Sequence, residues 1–130
     1  MENSPLKILL IEDDKFLRKA AEATLRRHGF TVLIASNGEE GLKSAQHDAP
    51  DLILLDLIMP KMNGFEVLRL LKREHGTRPI PVIVLSNLGQ QNDSVMAREL
   101  GALDYWVKAN LGLEELVDRV KTVLAGGTLS

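Results

Sequence analysis

The segment Asp51-Leu-Ile-Leu-Leu-Asp56 decides the fold of this chain, because it is a short, unbroken apolar run that ends in a carboxylate. Such runs are typical of strands that are buried on both faces of a parallel sheet. A second run, Lys7-Ile-Leu-Leu-Ile11, is followed by Glu12-Asp-Asp14, and a third, Tyr105-Trp-Val-Lys108, ends on a lysine. The sequence therefore predicts a parallel sheet whose strands lead into charged side chains.

The bulk composition narrows the classes of protein to which the chain can belong. It has 130 residues, 45% of them hydrophobic and 26% charged, which predicts one soluble globular domain with a full core. The formal net charge of -2 gives no reason to expect nucleic-acid binding, and the lack of cysteine excludes disulfides and thiolate chemistry. No apolar stretch approaches the roughly 20 residues of a membrane helix. The first residues lack a signal-peptide pattern, so we expect a cytoplasmic protein without membrane insertion.

Strand and helix patterns alternate along the chain. The predicted strands cover about 7–11, 31–35, 52–55, 82–85 and 104–107. The predicted helices run from 14 or 15 to 28, from the N-cap Asn37 to about 46, and over about 64–74, 91–100 and 113–124. The apolar face predicted for the first helix consists of Phe16, Leu17, Ala20, Ala21, Thr24 and Leu25.

This alternation predicts a fold of the α/β class. A (βα)5 pattern with right-handed crossovers gives a doubly wound parallel five-stranded sheet, for which we expect the strand order 2-1-3-4-5. We expect a single domain over residues 1–130, with a core from about 6 to 125, short flexible termini and no second domain. The pair Gly126-Gly127 could also begin a linker, so a domain cut from a longer protein stays an alternative.

Charged residues from three predicted strand ends converge in such a sheet. Ligands of open α/β sheets bind outside the carboxyl ends of the strands, where Glu12, Asp13 and Asp56 would meet beside Lys108. Carboxylates crowded together repel one another unless a cation joins them. The pattern therefore predicts a functional cluster at this edge of the sheet.

Four segments of the chain, taken in order, resemble the receiver domain of two-component response regulators, of the CheY-like type with a flavodoxin-like fold. The resemblance extends from about Leu6 to Leu124. It is carried by Ile8-Leu-Leu-Ile-Glu-Asp-Asp14, by Asp51 through Pro60 with Asn63-Gly64, by Val84-Leu-Ser86 and by Gly101-Ala-Leu-Asp-Tyr-Trp-Val-Lys108. Each segment alone is a weak signal, whereas the ordered set is specific.

The resemblance implies a role for each residue of the cluster. Asp56 would accept a phosphoryl group from a phosphohistidine, in a reaction that depends on Mg²⁺. Asp13 and Asp56 would bind the ion directly, Glu12 through water or a longer contact, and Ile58 through its backbone carbonyl. Lys108 and Ser86 would each contact a phosphoryl oxygen, while Asp14 falls outside the cluster as an N-cap or first-turn acid of the first helix.

The resemblance also implies a switch and a set of partners. Ser86 would move toward the phosphoryl group and Tyr105 would turn inward, which changes the surface of the fourth helix, fifth strand and fifth helix. The expected partners are a sensor histidine kinase or histidine phosphotransfer protein and a downstream protein that binds this surface; a phosphorylation-dependent homodimer is also allowed. The chain would catalyse only its own phosphorylation and dephosphorylation, so it is not otherwise an enzyme.

The chain departs from the family pattern at two places beside the cluster. Ala109 stands where the family usually has a proline in a cis peptide bond. Either the Lys108–Ala109 bond is cis, at a cost of roughly 2.5–4 kcal/mol, or it is trans and Lys108 is aimed differently. We favour cis slightly, because the loop has to deliver the amine. Asn87 is larger than the residue often found next to Ser86, so we expect it to affect the lifetime of the phosphorylated state.

Other interpretations of these residues remain. Taken alone, Asp56 is a strand terminator, Ser86 a turn or cap residue, Lys108 a solvated charge, and Tyr105 or Trp106 packing. A non-phosphorylated interaction module with the same fold is an alternative function, although such modules usually lose one of the acidic residues. A Mg²⁺-dependent phosphatase with an aspartyl nucleophile is a second alternative. It is disfavoured because Ile58 occupies the position where such enzymes usually have a second Asp.

Overall fold

The computed structural model describes residues 5–86 and 91–126, with only the backbone of 91 and 92, and within these ranges strands and helices alternate. The strands are β1 Lys7–Ile11, β2 Thr31–Ala35, β3 Leu52–Asp56, β4 Val82–Ser86 and β5 Asp104–Val107. The α-helices are α1 Lys15–Arg27, α2 Gly38–Asp48, α3 Gly64–Arg73, α4 Gln91–Glu99 and α5 Leu113–Leu124. The predicted elements are all present, with bounds that differ by up to two residues.

The strands form one parallel sheet in the order β2-β1-β3-β4-β5, so the predicted topology is confirmed. The register aligns the strand ends. Ile11 lies opposite Leu55, and Ser86 lies opposite Val107. Because all the strands run in the same direction, the residues that follow them collect along one edge of the sheet.

Two apolar layers enclose the sheet, because alternate side chains of each strand point to opposite faces. On one face, Leu9, Ile11, Ile53, Leu55 and Val84 pack against α2, α3 and α4. On the other face the strand residues pack against α1 and α5; they are Ile8, Leu10, Leu52, Leu54, Ile83, Leu85 and Trp106. The central strands β1, β3 and β4 are thus buried on both faces, which explains why they are apolar along almost their whole length rather than alternating.

Three helices begin at side chains that cap their free amides. Asp14, Asn37 and Asn63 each accept hydrogen bonds from backbone N–H groups in the first turn of α1, α2 and α3, respectively. Such caps each contribute about 1 kcal/mol to stability. The predicted caps Asp14 and Asn37 are therefore confirmed, and both lie at the edge where the functional cluster was expected.

The predicted apolar face of α1 is only partly buried. Ala21, Thr24 and Leu25 are buried as expected, whereas Phe16 is 86% exposed and Leu17 is 43% exposed. Both lie in the first turn of the helix, next to the strand ends, where there is less of the sheet to pack against. The periodicity of the sequence correctly indicates the helix but does not show where the sheet beneath it ends.

None of the helices in the described parts of the chain combines the length and apolar character needed to cross a lipid bilayer.

Candidate functional site

The carboxyl ends of β1, β3 and β4 bring acidic and hydroxyl side chains to one place. Glu12 and Asp13 follow β1 directly, Asp56 ends β3, and Ser86 ends β4. Glu12, Asp56 and Ser86 are buried, whereas Asp13 is exposed. Glu12, Asp13, Asp56 and Ser86 therefore lie at the edge of the sheet where the cluster was predicted.

Three carboxylates are close enough to share one cation. Glu12, Asp13 and Asp56 each offer an oxygen atom, and these atoms lie within 4.8 Å of one another. A set of carboxylate oxygens suits a hard divalent ion such as Mg²⁺ or Mn²⁺ and does not suit a soft metal. The donor set therefore fits the expected kind of metal.

Asp14 lies beside this cluster but not in it. Its carboxylate accepts hydrogen bonds from the amides of Phe16 and Leu17, at 3.0 and 3.1 Å. The neighbouring carboxylate of Glu12 accepts a hydrogen bond from the amide of Asp14 at 3.2 Å. The three consecutive acids thus serve different purposes, because the turn into α1 orients their side chains differently.

Lys108 supplies the cationic side chain of the cluster. Its Nζ lies 2.5 Å from Oε1 of Glu12 and 3.2 Å from Oδ1 of Asp56, and the side chains of all three residues are largely buried. Burial lowers the pKa of Lys108, but its hydrogen bond to Glu12 and the charges of Asp56 and Glu12 outweigh this and raise the pKa overall. The lysine is therefore held charged beside the carboxylates.

The expected cis bond between Lys108 and Ala109 is wrong. No cis peptide is present in residues 5–86 and 91–126, so this bond is trans. The chain leaves β5 in a short 3₁₀ helix, Lys108–Asn110, and the long lysine side chain still reaches Glu12 and Asp56. A trans bond avoids the cost of a non-proline cis peptide while the ammonium group keeps its place.

The pKa of Asp56 is raised to about 7. Burial is the main cause, the charge of Lys108 opposes it, and the neighbouring Glu12 carboxylate adds to it. Bringing a second cation to the site would favour the ionised carboxylate, because an opposite charge stabilises the charged form. The protonation state of Asp56 is thus linked to the charges around it.

An open cavity of about 270 Å³ leads to these groups, lined by Glu12, Asp13, Asp14, Leu17, Asp56, Ile58 and Lys108. The side chain of Ile58 is 55% exposed at this cavity. Ligation by its backbone carbonyl and a contact of Ser86 with a phosphoryl oxygen remain predictions. The influence expected of Asn87 concerns a residue outside the described ranges.

The two aromatic residues of β5 lie on opposite faces of the sheet. Tyr105 is partly buried and packs against the layer of α2, α3 and α4. Trp106 is 3% exposed and belongs to the layer of α1 and α5, which confirms its predicted role in packing. The role of Tyr105 as a switch stays a prediction.

Contacts of Asp104 were not foreseen in the sequence. Its carboxylate accepts hydrogen bonds from the Arg98 guanidinium and the Trp106 indole N–H. A signal for the second contact was present, because residues two apart on a strand share a face. The contact with Arg98 depends on how α4 packs beside β5, which no local pattern indicates.

The chain belongs to the response regulator receiver domain family, whose model matches residues 8–121. The five-stranded fold and the acidic edge agree with this membership. The domain is of the CheY-like type: the CheY4 chemotaxis protein of Vibrio cholerae is 26% identical, with a TM-score of 0.85 over 92% of this chain and 99% of that structure.

Relatives of known sequence include proteins of two different lengths. Protein PilH of Pseudomonas aeruginosa is 37% identical over 92% of this chain and 98% of its own length. The transcriptional regulatory protein CpxR of Escherichia coli is 42% identical over 91% of this chain but only 49% of its own. The chain spans about half the length of several of the regulators that it matches.

One similar structure holds a divalent metal. The Mn²⁺-bound response regulator Rcp1 is 28% identical to this chain, with a TM-score of 0.81 over 97% of this chain and 99% of that structure. This similarity is consistent with divalent-metal binding by the carboxylates of Glu12, Asp13 and Asp56.

Proposed function

We propose that Asp56 accepts a phosphoryl group from a phosphohistidine of a sensor histidine kinase or histidine phosphotransfer protein. The observation that carries this proposal is the position of Asp56. Its carboxylate ends β3 inside an open cavity, 3.2 Å from the Lys108 ammonium and within a cluster of carboxylates that can share a divalent ion. A nucleophile, a cation and a metal site are the parts that phosphoryl transfer requires.

In the proposed reaction, an oxygen of the Asp56 carboxylate attacks the phosphorus of the donor. The new P–O bond forms as the P–N bond breaks, and the imidazole leaves with the bonding electron pair and then takes up a proton. The product is an acyl phosphate. Water later attacks its phosphorus, which releases inorganic phosphate and restores the carboxylate.

Glu12, Asp13, Asp56 and the backbone carbonyl of Ile58 are the groups that we expect to hold Mg²⁺. When bound, the ion would neutralise negative charge on the oxygens of the phosphoryl group. Asp56 and Glu12 also keep Lys108 in place through the contacts described above. The same carboxylates would therefore bind both the Lys108 ammonium and Mg²⁺.

Lys108 and Ser86 are proposed to stabilise the transferred group. The lysine would exchange its contact with Asp56 for one with a phosphoryl oxygen, a move that requires only rotation of a flexible side chain. Ser86 ends β4 opposite Val107 and would donate its hydroxyl to a second oxygen. Both groups would act on charge that develops during the transfer, where such contacts are most effective.

We further propose that phosphorylation changes the surface formed by α4, β5 and α5, with Ser86 and Tyr105 as the moving residues. This surface has apolar side chains available for a partner, since Val95, Met96 and Leu103 are 52%, 45% and 56% exposed. The output would be binding of a downstream protein or of a second copy of the chain. In this proposal the domain has no substrate other than its own acceptor carboxylate and phosphodonor.

The test is a measurement of intact mass and Phos-tag mobility after incubation with acetyl phosphate or phosphoramidate, with and without Mg²⁺. We expect a single phosphoryl adduct that depends on Mg²⁺, is stable to acid and labile to base, and is absent from Asp56→Asn. Asp51→Asn is the matched control, because Asp51 precedes the same strand at its opposite end.

An adduct that survives in Asp56→Asn would overturn the assignment of the nucleophile. If the wild-type chain forms no adduct, binding of beryllofluoride, an analogue of the phosphoryl group, distinguishes two cases. Binding would indicate a receiver that does not accept small donors. Failure of both assays would reject the proposal in favour of an interaction module with a receiver fold.

A further inference from the structure

Asp104 joins α4 to β5 through three hydrogen bonds. Its Oδ1 accepts from Nη2 of Arg98 at 2.7 Å and from the amide of Tyr105 at 2.8 Å, and its Oδ2 accepts from Nε1 of Trp106 at 3.0 Å. Arg98 lies in the last turn of α4. One carboxylate therefore holds both a helix of the expected docking surface and an aromatic side chain of the sheet.

The Asp104–Trp106 contact lies on the face of the sheet opposite Tyr105, whereas α4 packs on the Tyr105 face, so Arg98 meets Asp104 at the β5 edge of the sheet. Side chains alternate along a strand, so Asp104 and Trp106 share a face, and Trp106 packs in the layer of α1 and α5. Lys108 follows Trp106 by two residues and reaches the acceptor Asp56. A short stretch of β5 thus connects the functional site to Arg98 without involving the Tyr105 side chain.

Trp106 is also in contact with α5. The guanidinium carbon of Arg119 lies 5.6 Å from the centroid of the Trp106 ring, a distance suited to a cation–π interaction. Arg119 in turn pairs with Glu115 at 3.3 Å. The indole is therefore in contact with Arg119 of α5, and it is joined to Arg98 of α4 only indirectly, through the Asp104 carboxylate.

We propose that Asp104 is a positioning residue that couples the state of the Asp56 site to α4 through Trp106 and Arg98. The inference rests on the proposed phosphorylation of Asp56 and adds a second connection to the one expected through Tyr105. Asp104 touches no reacting group and acts only through the position of β5 and α4.

The sign of the effect follows from the contacts of Lys108. In the described arrangement its ammonium contacts Glu12 and Asp56, and a phosphoryl group would draw it toward new oxygens. The Arg98–Asp104 pair belongs to this same arrangement. In the proposed coupling, the pair is weakened when the phosphoryl group draws Lys108 away. Removing the pair then lowers the cost of leaving the described arrangement, so the affinity for a phosphoryl analogue rises.

The test compares the wild-type chain with Arg98→Met and Asp104→Asn in a calorimetric titration with beryllofluoride in Mg²⁺. The side chain of Arg98 is 57% exposed, and pairs of this kind are weak, so we expect both variants to bind the analogue about two- to fivefold more tightly. Trp106 is the single tryptophan of the sequence, and its fluorescence change on analogue binding should be reduced in both variants.

Two matched controls separate coupling from a loss of charge. Arg98→Lys keeps a cation opposite Asp104 and should restore both readouts toward the wild type. Arg69→Met removes an arginine that pairs with Glu66 inside α3, and it should leave both readouts unchanged. A purely structural role of Asp104 would alter thermal stability without changing the affinity for the analogue.

The possible outcomes are distinct. Wild-type affinity and an unchanged fluorescence response in both variants would overturn the inference, and so would weaker binding of the analogue. If the wild-type chain itself neither binds the analogue nor forms an adduct, the proposed function fails and this inference fails with it. If the wild type binds the analogue and both variants respond as the wild type does, only this inference is rejected and the proposed function stands.

Discussion

The Lys108 ammonium lies closer to Glu12 than to the expected acceptor, at 2.5 Å from the Glu12 carboxylate and 3.2 Å from that of Asp56. Glu12 follows β1 and Lys108 follows β5, so this ion pair spans the ends of β3 and β4, and Asp56 lies at the end of β3. The arrangement holds the lysine near Asp56 without making Asp56 its main partner. The ammonium is therefore available to a group that becomes attached to Asp56.

Replacing Lys108 by methionine should slow phosphorylation of Asp56 by small donors about 10²-fold. The substitution keeps an apolar stem but removes the cation, and the loss of one preorganised charge-stabilising group costs about 10²–10³ in rate. Intact mass followed over time gives the rate. Lys43→Met, at an exposed position of α2, is the control and should phosphorylate at the wild-type rate. A wild-type rate for Lys108→Met would contradict the assigned role.

The stability of the metal-free protein should depend on the protonation of Asp56. Its pKa is raised to about 7, mainly by burial, so the folded state favours the protonated acid relative to the unfolded chain. The stabilising contribution of the proton is complete below the unfolded pKa, about 4, and is lost as the pH rises through 7. Asp56→Asn should therefore become progressively more stable than the wild type from pH 4 to pH 7.

The size of this gain should be about 2–4 kcal/mol, since each pKa unit corresponds to about 1.4 kcal/mol. Urea unfolding in EDTA at pH 5, 6, 7 and 8 measures the difference in the free energy of unfolding. A difference that stays constant across this range would show that Asp56 is not titrating as described.

Removing one metal-binding carboxylate should weaken divalent-ion binding without unfolding the domain. Asp13 is exposed and belongs to the cluster of three, so Asp13→Asn should lower the affinity for Mg²⁺ more than about tenfold. The thermal shift with increasing Mg²⁺ reports the affinity, because a ligand bound only by the folded state raises stability by mass action.

Asp14→Asn is the matched control for this measurement. It removes a charge from the same cavity but keeps the N-cap, since Asn caps a helix about as well as Asp. Its affinity for Mg²⁺ should fall much less than that of Asp13→Asn. Equal losses in the two variants would mean that net charge, rather than direct ligation, determines metal binding.

Gly64 should not tolerate a side chain, because it lies against the loop that follows the acceptor. A Cβ at this position would stand 2.5 Å from the Asp56 carbonyl oxygen and 2.6 Å from the Leu57 Cα, and backbone atoms cannot yield easily. Gly64→Ala should lower the free energy of unfolding by roughly 2–4 kcal/mol.

The same substitution should also slow phosphorylation, because displacement of the loop moves Asp56. Gly76→Ala is the control, since a Cβ there would have no neighbour within 4 Å. Urea unfolding and the small-donor assay measure the two effects. A Gly64→Ala variant with wild-type stability and rate would show that the loop can shift at little cost.

Much of the fold was predictable because its information is local. Unbroken apolar runs such as Leu52–Asp56 predict strands buried on both faces, and polar residues such as Asn37 predict where helices begin. The alternation of strands and helices then permits few topologies, because crossovers in parallel sheets are right-handed. The strand order and the gathering of Glu12, Asp13 and Asp56 at one edge follow from these rules.

The misjudged features depend on contacts between distant segments. Phe16 and Leu17 match the helical periodicity of α1 but lie exposed, because their burial depends on where the sheet beneath the helix ends. The Lys108–Ala109 bond is trans, and from the 3₁₀ helix after β5 the lysine side chain still reaches Glu12 and Asp56, which are distant in the chain. The family pattern could not show that this reach is possible without a cis bond.

The sequence by itself determined which residue types stand at the ends of which strands, and with them the fold and the residues of the candidate site. Only the tertiary structure decided how these residues divide their interactions: that Lys108 is closer to Glu12 than to Asp56, that the pKa of Asp56 is raised, and that Asp104 binds Arg98 and Trp106. The physical reason is that strand and helix formation follows local periodicity, whereas ion pairing and burial depend on distances between residues far apart in the chain.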